Sequence, residues 1–209
     1  MSLRRAFYWF ICWLVRVLWK PMGGIHTTGL QNVPREGAFI VIANHQSYLD
    51  PLFLQAVCPR LLHAMAKSTQ FASPIFRHLM TQVYSFPVRR FEIDPQSVRH
   101  VLRALATGDG VVIYIEGERT WDGELQSPRL GTVRLILKAG VPVIPCRIDG
   151  AYEAWPRWHN HVQKLPVRVD FRAPLRFPQL NRKADREPLV QDAAATIMTS
   201  LKVAARGRV

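Results

Sequence analysis

The 209-residue chain has only three cysteines, Cys12, Cys58 and Cys146. They are odd in number and far apart, so neither a zinc-ligand spacing nor a disulfide framework can be assembled from them. They read as buried thiols of a reducing compartment, which points to a cytosolic face for the folded domain. Acidic residues are also scarce: 15 Asp and Glu stand against 28 Lys and Arg, a formal net charge of +13. Such a field draws polyanions, whether nucleic acid, an anionic bilayer face, or a phosphorylated small molecule or carrier. No apolar run approaches the roughly 20 residues of a spanning helix. Repeats, low-complexity tracts and interdomain linkers are missing too. With 48% hydrophobic residues, the chain is expected to bury one sizeable core in a single domain.

The N-terminus speaks for a membrane surface. Its apolar run from Ala6 to Val15 is interrupted by Arg16 and resumes at Val17, Leu18 and Trp19. Arg5 and Arg16 are 11 residues apart, close to three helical turns, and Lys20 follows one turn later. A basic stripe beside Phe, Trp, Leu and Val describes a helix lying in the headgroup plane, and Trp9, Trp13 and Trp19 favour that interface. A signal peptide is the rival, but Lys20-Pro21-Met22 is no small-residue cleavage site. A helix packed on its own domain is the plainer alternative. The expected organisation is an amphipathic interfacial helix over 1–22 and a folded domain over 23–209.

Downstream, short apolar runs alternate with helical patterns. Strands are expected at Ala38–Ala43, Leu61–Ala66, Val83–Val88, Val111–Ile115, Val141–Pro145 and Val167–Phe171. Asp50-Pro51 reads as an N-cap followed by proline at the first helical position, opening a helix through Val57. Ser73-Pro74 opens another helix. Asp94-Pro95 repeats the signal ahead of the stripe Val98, Val101, Leu102 and Leu105, ended by Gly108-Asp109-Gly110. Helices are also expected over Thr132–Ala139 and along Val190, Ala194, Ile197 and Leu201. The alternation implies an α/β domain whose largely parallel or mixed sheet carries helices on both faces.

Chemistry concentrates at strand ends. Asn44-His45-Gln46-Ser47-Tyr48-Leu49-Asp50 begins where the AFIVIA strand stops, the side of an α/β sheet where sites form. A turn there can bring Asp50 onto His45, fixing its tautomer so that Nε2 serves as a general base, a role worth about 10²–10⁴-fold in rate. Asp50 as a helix cap and nothing more remains open on spacing alone. Ser47 as nucleophile lacks a G-x-S-x-G turn and is better suited to local backbone bonds. Tyr114-Ile115-Glu116-Gly117-Glu118-Arg119 also follows a strand; Gly117 permits a tight turn, and Arg119 offers a donor fork suited to phosphate. Phe86-Pro87-Val88-Arg89-Arg90 ends a strand with two guanidinium groups, and the two prolines of Val141-Pro142-Val143-Ile144-Pro145 suit a sheet edge or wall. His159-Asn160-His161 lies in a polar segment and is expected to be solvated, so no metal is expected.

In this order the four segments resemble the glycerolipid acyltransferase family, typified by 1-acylglycerol-3-phosphate acyltransferases. Asn44, His45, Ser47 and Asp50 meet the pattern N-H-x-S-x-x-D in full. Phe86-Pro87-Val88 with Arg90 matches the second motif, Glu116, Gly117 and Arg119 the E-G-T-R block, and Val141, Pro142 and Pro145 the V-P-x-x-P block. Gly131, Lys138, Ala139 and Gly140 add to the likeness, which covers roughly residues 25 to 150. Tyr84 and Ser85 stand where glycine is usual, Ile115 replaces a proline and Glu118 a threonine. The resemblance implies that His45, oriented by Asp50, deprotonates a lysophospholipid hydroxyl, most simply that of 1-acylglycerol-3-phosphate. The hydroxyl then attacks the thioester of acyl-CoA or acyl-carrier protein, giving phosphatidic acid in phospholipid biosynthesis, with no cofactor and no acyl-enzyme. Arg90 and Arg119 would hold the phosphate, with Glu116 and Gly117 shaping their loop, and Val141, Pro142 and Pro145 would wall the acyl or acceptor cleft. Expected partners are anionic lipids at the cytoplasmic face of a membrane, the lysolipid and the acyl carrier. Neither nucleic acid nor an obligate oligomer is expected: the basic residues are spread along the chain and form no nucleic-acid module. The alternatives from the residues are another lysolipid acceptor, or a basic membrane- or nucleic-acid-binding protein without catalysis. Glu118 is expected either to pair with Arg119, weakening phosphate binding, or to face solvent.

Overall fold

The computed structural model describes residues 2–89, 94–180 and 186–202. In chain order the elements are α1 (Leu3–Trp19), β1 (Ile25–Thr28), β2 (Phe39–Ala43), α2 (Asp50–Val57), β3 (Leu62–Lys67), α3 (Pro74–Gln82), β4 (Ser85–Val88), α4 (Pro95–Ala106), β5 (Gly110–Tyr114), α5 (Leu130–Ala139), β6 (Val143–Asp149), α6 (Ala151–Ala154), β7 (Val167–Phe171) and α7 (Arg186–Lys202). Seven strands form one sheet in the order β1-β7-β6-β2-β5-β3-β4. Every pairing is parallel except β6 with β7, so the sheet is mixed, as expected.

Strand alternation sorts the core into two layers. Phe39, Val41 and Ala43 of β2, with Val112 and Tyr114 of β5, face one way, onto Phe53 and Leu54 of α2 and Trp19 of α1. Ile40, Ile42, Val111 and Ile113 face the other way, onto Val101 of α4, Ile136 and Leu137 of α5, and Val190 and Ile197 of α7. A strand apolar on both faces reads as a continuous run, and β2 is buried at all five positions. The Asp94 cap forms as the sequence suggests, its carboxylate accepting from Gln96 N–H and Ser97 N–H.

Three local expectations are corrected. The strand expected at Val141–Pro145 begins at Val143, leaving Val141 and Pro142 ahead of it, and runs on to Asp149. That strand is interior, not an edge. Pro145 is tolerated because the antiparallel register slips beside it: Cys146 pairs with Phe171, but Val143 pairs with Leu175. The extra residue makes a bulge at which Arg172 N–H donates to the Pro145 carbonyl, so no ladder donor is required of the proline.

The helix α1 is neither purely interfacial nor purely packed. Tyr8, Cys12 and Trp19 are buried, and the Tyr8 hydroxyl accepts the N–H of Leu62 at 3.1 Å. The row Leu3, Phe10 and Val17, with Trp13 beside it, points to the opposite side and is exposed. Arg5 reaches Asp109 at 3.4 Å, tying part of the expected basic stripe to the domain. Among the described residues no helix is long and apolar enough to cross a membrane. Because Tyr8 satisfies a buried strand N–H, Tyr8→Phe should lower the unfolding free energy by about 1–3 kcal/mol in urea titrations.

Candidate active site

The end of β2 is held by side chains that replace backbone. Asn44 Nδ2 donates to the Ile148 carbonyl and Ile148 N–H donates to Asn44 Oδ1, both at 2.8 Å. The amide thereby adds a rung to the β2–β6 ladder while the main chain turns away. His45 is then gripped at both backbone groups. Its N–H donates to Glu116 Oε1 at 2.7 Å, and its carbonyl accepts Thr120 N–H at 2.8 Å. The loops after β2 and β5 are thus laced together.

Asp50 begins α2 but does not cap it. The expected N-cap position belongs to Leu49, and the Asp50 carboxylate turns back into the preceding turn. Oδ2 accepts from Gln46 N–H at 2.6 Å, Ser47 N–H at 2.8 Å and His45 Nδ1 at 2.8 Å. A carboxylate flanked by donors fixes the proton on Nδ1, leaving the imidazole lone pair at Nε2 to accept another. The Ser47 hydroxyl donates to the Trp155 carbonyl at 3.0 Å, which places it in a structural contact. The imidazole also lies flat on the Tyr114 ring, with centroids 3.9 Å apart and planes 16° from parallel.

His45 lines two cavities. One, of about 480 Å³, lies between β5, α4 and α5; Val88, Val98, Ile113 and Leu135 make its apolar wall, and Arg89, Gly117 and Arg129 also reach it. The other, of about 650 Å³, runs along α2 and α3 past Leu52, Phe76 and Met80, with Lys67, Arg119 and Arg157 supplying charge. Arg119 is buried with its guanidinium 3.3 Å above the Tyr48 ring. Arg90 lies outside the described residues. Val141, Pro142 and Pro145 line neither cavity: Val141 and Pro142 lie ahead of β6, and Pro145 pairs with Ile42 inside the sheet.

Glu118 follows neither expected course: it reaches Arg129 at 3.4 Å and Arg157 at 3.8 Å, one from the rim of each cavity. The sequence drew no attention to Arg129 or Arg157, which no local motif marks: Arg129 closes the loop that carries Glu118, and Arg157 comes from the segment after α6. Gly117, at φ +74° with the Arg129 side chain 3.0 Å from where a Cβ would stand, needs to be glycine.

Glu116 spends both oxygens on backbone, accepting His45 N–H and Gln126 N–H at 2.7 and 3.0 Å. Burial nevertheless pushes its carboxyl up to about 7, against the pull of those two bonds. A carboxyl raised above its ordinary 4.5 favours folding fully below that value and loses the contribution as pH climbs through about 7. Thermal melts should therefore show stability falling across this window, with the Glu116→Gln variant flatter over the same range.

The comparisons agree with this geometry. Residues 24–149 match the model of the Acyltransferase family. The 1-acyl-sn-glycerol-3-phosphate acyltransferase of Bacillus subtilis is 25% identical over 144 residues, 68% of this chain and 71% of that protein. The chloroplastic enzyme of the same name from Arabidopsis thaliana is 30% identical over 159 residues, 73% of this chain but 44% of its own length. The crystal structure of the 1-acyl-sn-glycerophosphate acyltransferase of Thermotoga maritima shares the fold, with a TM-score of 0.74 at 20% identity over 97% of this chain and 83% of that one. With the family model spanning more than half of its residues, the chain belongs to the glycerolipid acyltransferase family.

Proposed function

We propose that this O-acyltransferase moves a fatty acyl group from an acyl thioester, on coenzyme A or acyl-carrier protein, to the hydroxyl of a lysophospholipid. The favoured acceptor is 1-acylglycerol-3-phosphate, giving phosphatidic acid for phospholipid synthesis. The observation that carries this reading is the buried His45–Asp50 pair at the junction of two cavities, one for each substrate. His45 Nε2 takes the proton of the acceptor hydroxyl as its oxygen attacks the thioester carbon. The carbon–sulfur bond then breaks, and the thiolate leaves with the proton carried by the imidazolium. Asp50 holds the ring and balances its positive charge. Direct transfer fits the engagement of Ser47 with the Trp155 carbonyl. The apolar cavity suits an acyl chain, and the one bearing Lys67, Arg119 and Arg157 suits a phosphate headgroup. Arg90 is proposed as an added phosphate ligand on its motif match alone. Glu116 and Gly117 shape the loop that carries Arg119.

His45→Ala should abolish transfer while leaving the fold intact, and Asp50→Asn should lose about 10²–10⁴-fold in kcat through the wrong tautomer and an unbalanced imidazolium. Steady-state assays of purified variants with an acyl-CoA and acyl-carrier-protein panel measure this. Substantial turnover by the His45→Ala protein would end the mechanism.

The second part of the proposal is that residues 1–22 seat the domain on the cytoplasmic face of a membrane. The support is the exposed row of α1: Phe10 and Trp13 are each 52% exposed on a chain of net charge +13. Because Tyr8, Cys12 and Trp19 pack into the domain, the row is best tested by point changes. Phe10→Ser with Trp13→Ser should weaken sedimentation with anionic vesicles at least severalfold without changing the melting temperature, and the remaining binding should fall with salt. Unchanged sedimentation would remove α1 as the anchor.

A further inference from the structure

Tyr114 has no role in the mechanism above, yet its ring is in face-to-face contact with the imidazole of His45. It closes β5, and its hydroxyl is buried with no hydrogen-bond partner among the described residues. An unpartnered buried hydroxyl costs stability, so the favourable contacts of this side chain are those of its ring. What it offers is a flat π surface. Asp50 holds the imidazole at one edge, through Nδ1. A parallel aromatic plane at 3.9 Å supports the ring across its face. The electron-rich face also attracts a cation, and the ring of His45 becomes a cation at the moment it takes the acceptor's proton.

We propose that Tyr114 is a positioning residue for acyl transfer, whose ring face sets the imidazole plane of His45 and stabilises its protonated form. The proposal rests on His45 acting as the base. Asp50 at Nδ1 and Glu116 at the backbone N–H also face His45. Arg89, Asp94 and Arg129 share one cavity with it, and Lys67, Arg119 and Arg157 the other. All of these stay in place when residue 114 alone is changed, so a shift in His45 titration on that change reports the ring.

The test compares the parent with Tyr114→Phe, Tyr114→Leu and pentafluorophenylalanine installed in place of Tyr114, the last keeping shape while reversing the sign of the ring face. Each is assayed for kcat, KM and the pH dependence of kcat/KM, and His45 is titrated by its ring proton resonance. Tyr114→Phe should retain the parent's kcat and pH profile. The other two should lower kcat about tenfold with KM little changed, the pattern of an interaction felt in the transition state. Their acidic limb and His45 titration should move to lower pH by about half to one unit, because the protonated ring has lost its support. Three results would overturn the proposal: an unmoved His45 titration in the fluorinated protein, Tyr114→Phe behaving like Tyr114→Leu, or losses confined to KM and melting temperature. The resonance titration needs no turnover, so it separates failure of this inference from failure of the acyl-transfer reading.

Discussion

The convergence of three donors on one oxygen of Asp50 is the constraint around which the site is arranged. Gln46 N–H, Ser47 N–H and His45 Nδ1 all point at Oδ2, so the carboxylate folds the six residues from His45 to Asp50 into a closed turn. Each partner is buried, where such bonds are strong and their loss leaves a stranded charge. The turn needs a rigid base, and β2 supplies it from the middle of the sheet, between β5 and β6. Asn44 and Glu116 then fasten the turn to β6 and to the loop after β5. The geometry proposed for catalysis is a property of three strand ends held in register, with the histidine as the point where they meet.

Much of this was legible in the sequence. The two-sided burial of β2 and β5 was written in unbroken apolar runs, and the Asp94 cap in its Asp-Pro spelling. His45 and Asp50 could be paired because a turn of that length closes locally. Where a competing contact decides, the sequence was silent or misleading. Asp50-Pro51 carries the spelling of a cap, yet the carboxylate is drawn backward because the preceding turn offers a histidine and two N–H groups at once. Pro145 carries the spelling of an edge, yet a bulge on the strand after it makes room in the interior. Glu118 was weighed only against its neighbour Arg119, while its partners come from residues 129 and 157.

Glu118 gives the two cavities a shared rim. Its carboxylate lies between Arg129, which lines the apolar cavity, and Arg157, which lines the cationic one. Arg157 also stacks 3.6 Å over Trp121 and donates to the Arg119 carbonyl, so the loop that bears Arg119 is braced from outside. The acid therefore tempers the charge of the rim cations and leaves Arg119 stacked on Tyr48.

The two apolar rows of α1 have a bearing on how the protein behaves outside a membrane. One row is satisfied by the domain; the other is left uncovered among the described residues, as are Ile75 and Phe76 of α3 at 80% and 59% exposure. Water penalises that surface in proportion to its area, and the penalty disappears equally well against lipid, detergent or a second molecule. In plain buffer the net charge of +13 opposes such pairing over a distance set by salt. Self-association in lipid-poor, high-salt solution would thus measure the same surface that the proposal assigns to a bilayer, and a dimer seen under those conditions would bury it without lipid.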